Sequence, residues 1–298
     1  MELRQLAYAV KIYEEKNFSR AAEKLHIAQP SLSQQLAKLE KEFGVPLFHR
    51  TTNVVEPTHA GEVFVAKARV ILDLARQLES EMNDISNLKK GRLVIGTLPI
   101  TGSHILPIVL PAFAARHPGI EISLVEDTSA NLEQLTASGA VDLALLTLPI
   151  EEPTLDWKPY ATEEIRLAVP AAHPLAAAEE PVPVAALAAE PFVVLKQGQG
   201  FRRITNDICE EAGFSPRIVF ESSNIETVIS LVAAGMGVAF VPEMVAASKK
   251  GRYVPVFKKM TGPAPSRTLV IAERRGRYFT KAAEAFIDTL MEVTSQPS

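Results

Sequence analysis

Between residues 64 and 85 the apolar side chains Phe64, Ala68, Ile71, Ala75, Leu78, Met82 and Ile85 follow a 4-3-4-3-4-3 spacing. That is a heptad seam along one face of a helix. Capped by Thr58, the helix runs to about Lys89, roughly 45 Å at 1.5 Å per residue. A helix of that length cannot cover its own stripe. Its place between two differently patterned regions favours a helix from a second copy of the chain over packing within one copy. The seven seam residues are therefore the expected dimer contact. Residues 59–90 form a dimerisation linker, closed by Lys89-Lys90-Gly91. The 298 residues, 47% hydrophobic and 22% charged, leave ordinary globular domains on either side.

Ahead of the linker, three short helices are legible. Leu3, Leu6, Ala7, Val10 and Tyr13 give one apolar stripe, ending near Lys16-Asn17. Ser19 is a candidate cap for a second helix that turns Ala21, Ala22 and Leu25 inward. Pro30 suits the first turn of a third, over residues 30–42. There Leu32, Leu36, Leu39 and Phe43 form a buried stripe, and Ser31, Gln34, Lys38 and Lys41 the opposite face, widened by Ser33 and Gln35. Gly44 and Pro46 end it. Short polar groups on its first turn are what a major-groove reader needs, whereas Lys38 and Lys41 reach only phosphates. Residues 47–57 look like a two-stranded wing with Arg50 at the turn side, placed for a minor-groove or phosphate contact.

Four blocks occur in order over the first sixty residues or so: Phe18-Ser19-Arg20-Ala21-Ala22-Glu23-Lys24-Leu25; Gln29-Pro30-Ser31-Leu32-Ser33-Gln34-Gln35-Leu36-Ala37-Lys38-Leu39-Glu40; Gly44-Val45-Pro46-Leu47-Phe48-His49-Arg50; and Thr58-His59-Ala60-Gly61. Together they resemble the LysR-type transcriptional regulators. The resemblance implies a winged helix-turn-helix, all-α with a small wing, in residues 1–58, with DNA contacts from Gln29, Pro30, Ser31, Ser33, Gln34 and Arg50. Lys38 is added from helix geometry. It also implies double-stranded promoter DNA as partner, partly palindromic sites read by a dimer, and assembly to a tetramer. RNA polymerase is a further expected partner.

After Arg92 short apolar runs alternate with helical stretches, which argues for an α/β sheet. Strands are expected at 93–96, 120–125 and 141–146, then at 165–169, 192–195, 217–221 and 238–241, with a last strand at 268–272. The expected effector domain, residues 91–298, has lobe I at 91–162 and 267–298 and lobe II at 163–266. This two-lobed α/β arrangement resembles type 2 periplasmic binding proteins. A ligand belongs in the cleft between such lobes, at strand ends and helix starts. Small polar residues at four strand-to-helix turns suit an anionic effector, although capping explains any one of them. The family resemblance places effector contacts at Ile100, Thr128, Phe201 and Ser222, with Thr101 adjacent. Ile100 stands where relatives often carry Ser or Thr, which favours a ligand with an apolar portion.

The exclusions narrow the function further. Net charge is −4, but residues 1–90 carry 13 Lys/Arg against 12 Asp/Glu, and residues 91–298 carry 18 against 23. Bulk acidity therefore belongs to the rear of the chain and does not argue against DNA. One cysteine, Cys209, forms no internal disulfide, and a thiol switch lacks its resolving partner. No two of the six histidines stand at i, i+4, no Walker or nucleophile-elbow motif occurs, and Gly198-Gln199-Gly200 lacks the rest of a dinucleotide fingerprint. No enzymatic activity, metal or cofactor is expected. Arg274-Arg275-Gly276-Arg277 reads as a solvated basic turn. With no secretory signal and no long apolar run, a cytoplasmic protein is expected, with no membrane partner. The alternatives are a solute-binding protein or enzyme with a helical appendage, and a constitutive DNA-binding protein whose effector domain has lost its ligand.

Overall fold

A computed structural model describes residues 1–50, 55–85, 91–178, 181–248, 254–261 and 265–294. It forms two compact units, one of Met1–Gly91 with Ser138–Ala140, the other of Arg92–Ala137 with Val141–Ser298.

In the first unit, helix α1 (Leu3–Glu15) starts in a reciprocal cap between Glu2 and Gln5 and ends at Lys16 in the left-handed conformation. Helix α2 (Phe18–Lys24) is capped by Asn17, whose Oδ1 accepts from the Arg20 N–H at 3.0 Å. Ser19, the expected cap, lies inside the first turn, because the left-handed Lys16 turns the chain two residues earlier. Helix α3 (Gln29–Phe43) ends at Gly44 with φ 72°. Leu32, Leu36 and Leu39 are buried against Ile12, Ala22 and Phe48. Phe43 departs from the expected stripe: it is exposed, with its ring edge-on to Phe64 at 5.6 Å. The small core ends at Leu39, and one more turn carries α3 beyond it.

The wing is an antiparallel pair, β1 (Phe48–Arg50) and β2 (Val55–Pro57), with Phe48 opposite Pro57. Residues 51–54 and the Arg50 side chain lie outside the described residues. The carboxylate of Glu40 on α3 accepts from the backbone N–H of Leu47 at 2.8 Å and Phe48 at 3.3 Å, fixing where the wing begins. Thr58 does cap α4 (His59–Ile85): its hydroxyl accepts from the Gly61 N–H at 3.0 Å and donates to the Pro46 carbonyl at 2.8 Å. Gly61 passes so close to the wing that a Cβ there would stand 1.9 Å from the Leu47 carbonyl oxygen.

The second unit begins with β3 (Gly91–Thr97), α5 (Pro99–Arg116), β4 (Ile120–Glu126), α6 (Ser129–Ala137), β5 (Leu143–Thr147) and β6 (Leu155–Val169). Lobe II follows with β7 (Pro191–Leu195), α7 (Gly200–Glu211), β8 (Arg217–Ser222), α8 (Ile225–Ala233), β9 (Ala239–Pro242), α9 (Glu243–Ser248) and β10 (Val256–Lys258). The chain returns through β11 (Ser266–Arg274) to α10 (Lys281–Thr294). The main sheet runs β10-β6-β11-β5-β3-β4, with β3 and β5 parallel.

Strand β6 is one continuous element rather than a linker plus a new strand. Its first part pairs with β11 and its last part with β9 and β10, so it carries the chain from lobe I into lobe II. Phe113, Phe286 and Leu93 pack one face of the lobe I sheet, and Leu132, Leu146 and Val270 the other. Phe192, Phe240 and Val228 lie in the lobe II core.

Candidate DNA-reading face and effector cleft

On α3, Gln29, Pro30, Ser31, Gln34 and Lys38 are exposed, and Ser33 is half-buried. The Gln29 amide donates to the Ser33 hydroxyl at 3.1 Å, which orders both at the helix start. Ala28 supplies no side-chain cap, leaving the positive end of the helix dipole open to a phosphate. Gln35 turns the other way and accepts from buried Gln5 at 3.2 Å. The face expected from sequence is therefore assembled on one rigid element, apart from Arg50, whose side chain is not described.

The linker seam divides in two. Ala68 is buried and Phe64 half-buried in the core of their own unit, alongside Val65, with Arg69 over the Tyr13 ring at 5.3 Å. Phe64 and Ala68 are therefore committed within one chain, because the first turns of α4 lie on α1. Farther along, Ile71, Leu74, Leu78 and Met82 are exposed, Leu78 at 59%. Ala75 between them is half-buried, and the Ile85 side chain lies outside the described residues.

In the second unit a cavity of about 560 Å³ opens between the lobes. Lobe I contributes Ser129 and Glu133 from α6 and Thr147 and Glu151 from the end of β5 onward; lobe II contributes the 197–200 loop and one face of α7. Gly200 approaches Ser129 closely: a Cβ there would lie 2.7 Å from the Ser129 hydroxyl, which would have to turn aside. Arg203 and Glu151 pair across the lobes, and His104 on α5 meets the Ser248 hydroxyl on α9 at 3.1 Å. Glu133 is buried, and its Oε2 accepts from the backbone N–H groups of Glu151 at 3.0 Å and Glu152 at 2.8 Å. Buried Arg202 donates to the Leu195 carbonyl at 2.8 Å and to Glu221 at 2.5 Å.

The two crossover strands meet at a buried ion pair. Arg267 on β11 lies opposite Glu163 on β6 in register and bonds it at 2.5 Å. Glu163 also accepts from the Met244 N–H at 3.0 Å, and the Phe201 ring lies 5.6 Å from the Arg267 guanidinium. Beside them burial pushes the Tyr160 phenol above its ordinary pKa, with the Arg267 charge pulling the other way.

None of the five expected effector residues lines this cavity. Ile100 is buried in the lobe II core, Thr101 is fully buried, and Phe201 packs beneath Arg267. The Thr128 and Ser222 hydroxyls accept from the Asn131 and Asn224 N–H groups, so both cap turns. Ser129 and Gly200, the sequence neighbours of Thr128 and Phe201, line the cavity instead. The wall holds Glu133, Glu151, Asp207 and Glu210 against Arg202 and Arg203, which disfavours the expected anionic ligand. The basic turn is not simply solvated either: Arg275 pairs with Asp156 at 2.9 Å, and largely buried Arg277 with Asp142 at 2.6 Å. Cys209 is buried, and loss of water pushes its thiol up to about 12. Among the described residues, no group of His, Cys, Asp and Glu could hold a metal, and no helix is long and apolar enough to cross a membrane.

A DNA-reading helix-turn-helix, a linker helix and a two-lobed ligand-type domain together define a transcriptional regulator. Residues 3–62 match the family described as bacterial regulatory helix-turn-helix protein, lysR family, and residues 86–295 match the LysR substrate binding domain. The chain belongs to the LysR family of DNA-binding transcriptional regulators. It is 40% identical over 99% of its length, and 96% of the relative's, to the uncharacterized HTH-type transcriptional regulator YcgK of Bacillus subtilis. It is 33% identical to the DNA-binding transcriptional dual regulator OxyR of Escherichia coli, over 93% of this chain and 90% of that one. A solved full-length OxyR variant from Pseudomonas aeruginosa superposes with a TM-score of 0.77 at 29% identity, covering 99% of this chain and 94% of its own.

Proposed function

We propose that this regulator works as a homodimer whose effector domain responds to a small molecule held between its lobes. The observation that carries the reading is the cavity of about 560 Å³, walled by both lobes and large enough for a metabolite. A ligand that binds one lobe arrangement better than another shifts the population toward it and so alters how the dimer sits on its site. On α3, Gln29, Ser33 and Gln34 read base edges, Pro30 and Ser31 fit the backbone, and Lys38 takes a phosphate; Arg50, in the wing, takes a phosphate or the minor groove.

The exposed stripe of Ile71, Leu74, Leu78 and Met82 supports dimerisation through α4, since apolar rows of this length are covered in a stable protein. Pairing of dimers into tetramers and contact with RNA polymerase extend the same reading. The protein acts in the cytoplasm, where its DNA is, and is not an enzyme.

Several relatives are named hydrogen peroxide-inducible genes activators. A different trigger is favoured here. Peroxide chemistry needs an accessible thiolate, and the lone Cys209 is buried with its thiol pushed up to about 12. Two measurements test the reading. Asp at both Ile71 and Leu78 is expected to give monomeric sedimentation and loss of operator binding; a variant that stays fully dimeric contradicts the linker contact. Footprints on the operator are expected to change with a metabolite extract and to stay unchanged with peroxide.

A further inference from the structure

The interlobe cavity carries more negative than positive charge, and its positive groups are already engaged. Arg202 is matched by Glu221, outside the wall, and Arg203 by Glu151. Glu133 accepts two backbone N–H bonds from Glu151 and Glu152. Asp207 and Glu210, three residues apart on α7, are exposed and make no ion pair among the described residues. Acidity alone does not make a site. The second observation is Thr147: it lies in the same wall, is only 6% exposed, and its hydroxyl oxygen is buried without a hydrogen-bond partner. The Ser129 hydroxyl, facing Gly200, is in the same state. An unpaired buried hydroxyl is costly and calls for an explanation, which a ligand that satisfies it would supply.

We propose that the effector is a small organic cation carrying at least one ammonium or guanidinium group. It is seated against Glu133, Asp207 and Glu210, with Thr147 and Ser129 completing its hydrogen bonds. This deepens the reading of the cleft as the effector site and rests on it. A carboxylate ligand would meet three carboxylates while both arginines kept their present partners, a like-charge arrangement that costs affinity. An ammonium offers three donors and no acceptor, which matches a wall rich in acceptors.

The test uses the full-length protein with the operator it selects from random DNA. Putrescine, agmatine and spermidine are compared with succinate, adipate and benzoate, with melting temperature and calorimetry reporting binding and footprints reporting response. The binders are expected to be cations. Asp207→Asn combined with Glu210→Gln should weaken them at least about tenfold and leave ligand-free melting unchanged. Thr147→Val should weaken them too, yet raise ligand-free melting by about 2–4 °C by removing the orphaned hydroxyl. Binding confined to the carboxylates, or cation binding indifferent to these substitutions, overturns the cationic assignment. If the footprint still responds, the effector reading survives that failure. No binding and no footprint change with any compound overturns both.

Discussion

Arg267 shows how much one side chain can fix in this molecule. It sits almost without solvent between the two crossover strands, bonded to Glu163 and stacked near Phe201. Removing one partner of a buried pair strands the other charge, so Arg267→Ala is expected to cost about 3–5 kcal/mol, read as a lowered urea midpoint. Replacing both partners together, Arg267→Met with Glu163→Leu, should recover most of that loss. A single variant as stable as wild type would show that the pair is not structural. Cys209 makes the opposite case. With its thiol pushed up to about 12, the thiolate that alkylation needs is scarce at neutral pH and increases only as pH rises toward that value. Iodoacetamide should therefore label the folded protein far more slowly than the urea-unfolded chain at pH 8. Equal rates would contradict the buried setting. The count of one cysteine was legible in the sequence; its burial came from α7 packing onto the lobe II core. Neither Arg267 nor Glu163 stood out, because a cross-strand pair between positions 104 residues apart leaves no local pattern.

Among the elements, the wing and linker junction is the most tightly determined. Thr58, Gly61 and the Leu47 carbonyl occupy one small space, and any side chain at position 61 meets backbone rather than a flexible tip. Gly61→Ala is expected to destabilise the DNA-binding unit by about 1–3 kcal/mol, seen in calorimetry as an earlier transition for that unit while the effector unit melts unchanged. An unaltered first transition would show that the wing can shift at no cost. Helices α1, α3 and α4 were legible because each carries a strong 3.6-residue apolar period. Phe43, Phe64 and Ala68 depart from their expected places for one reason. Periodicity marks a face as apolar but does not say what covers it. Phe43 runs past its core, while Phe64 packs against the core of its own unit and Ala68 is buried within that unit. The Ser19 cap failed similarly, since the left-handed Lys16 that starts α2 early has no clear mark in sequence.

At the scale of the whole molecule, strand–helix alternation is enough to assign two α/β lobes, and most strands fall within a few residues of their expected places; β6 instead begins at Leu155, well before residue 165, and β10 has no counterpart among the expected strands. The continuity of β6 was not legible, because its middle residues are polar and exposed enough to read as a loop. The cavity was approached but missed. Its wall joins the start of α6, the end of β5, the 197–200 loop and α7, and which residue of each turn faces inward depends on tertiary packing. The expected positions 128 and 201 lie one residue from Ser129 and Gly200, which do line it. The claim on which the rest depends is that the first turn of α3 reads base sequence. It is tested most directly by affinity for the selected operator and for scrambled DNA across a salt series, with wild type beside Ser33→Ala, Gln34→Ala and Lys38→Ala. Ser33→Ala and Gln34→Ala should each lose about 1–3 kcal/mol of discrimination at an unchanged salt slope. Lys38→Ala should weaken both DNAs alike and lower the slope by about one. Full discrimination in Ser33→Ala and Gln34→Ala would contradict the assignment of α3 as the reading helix.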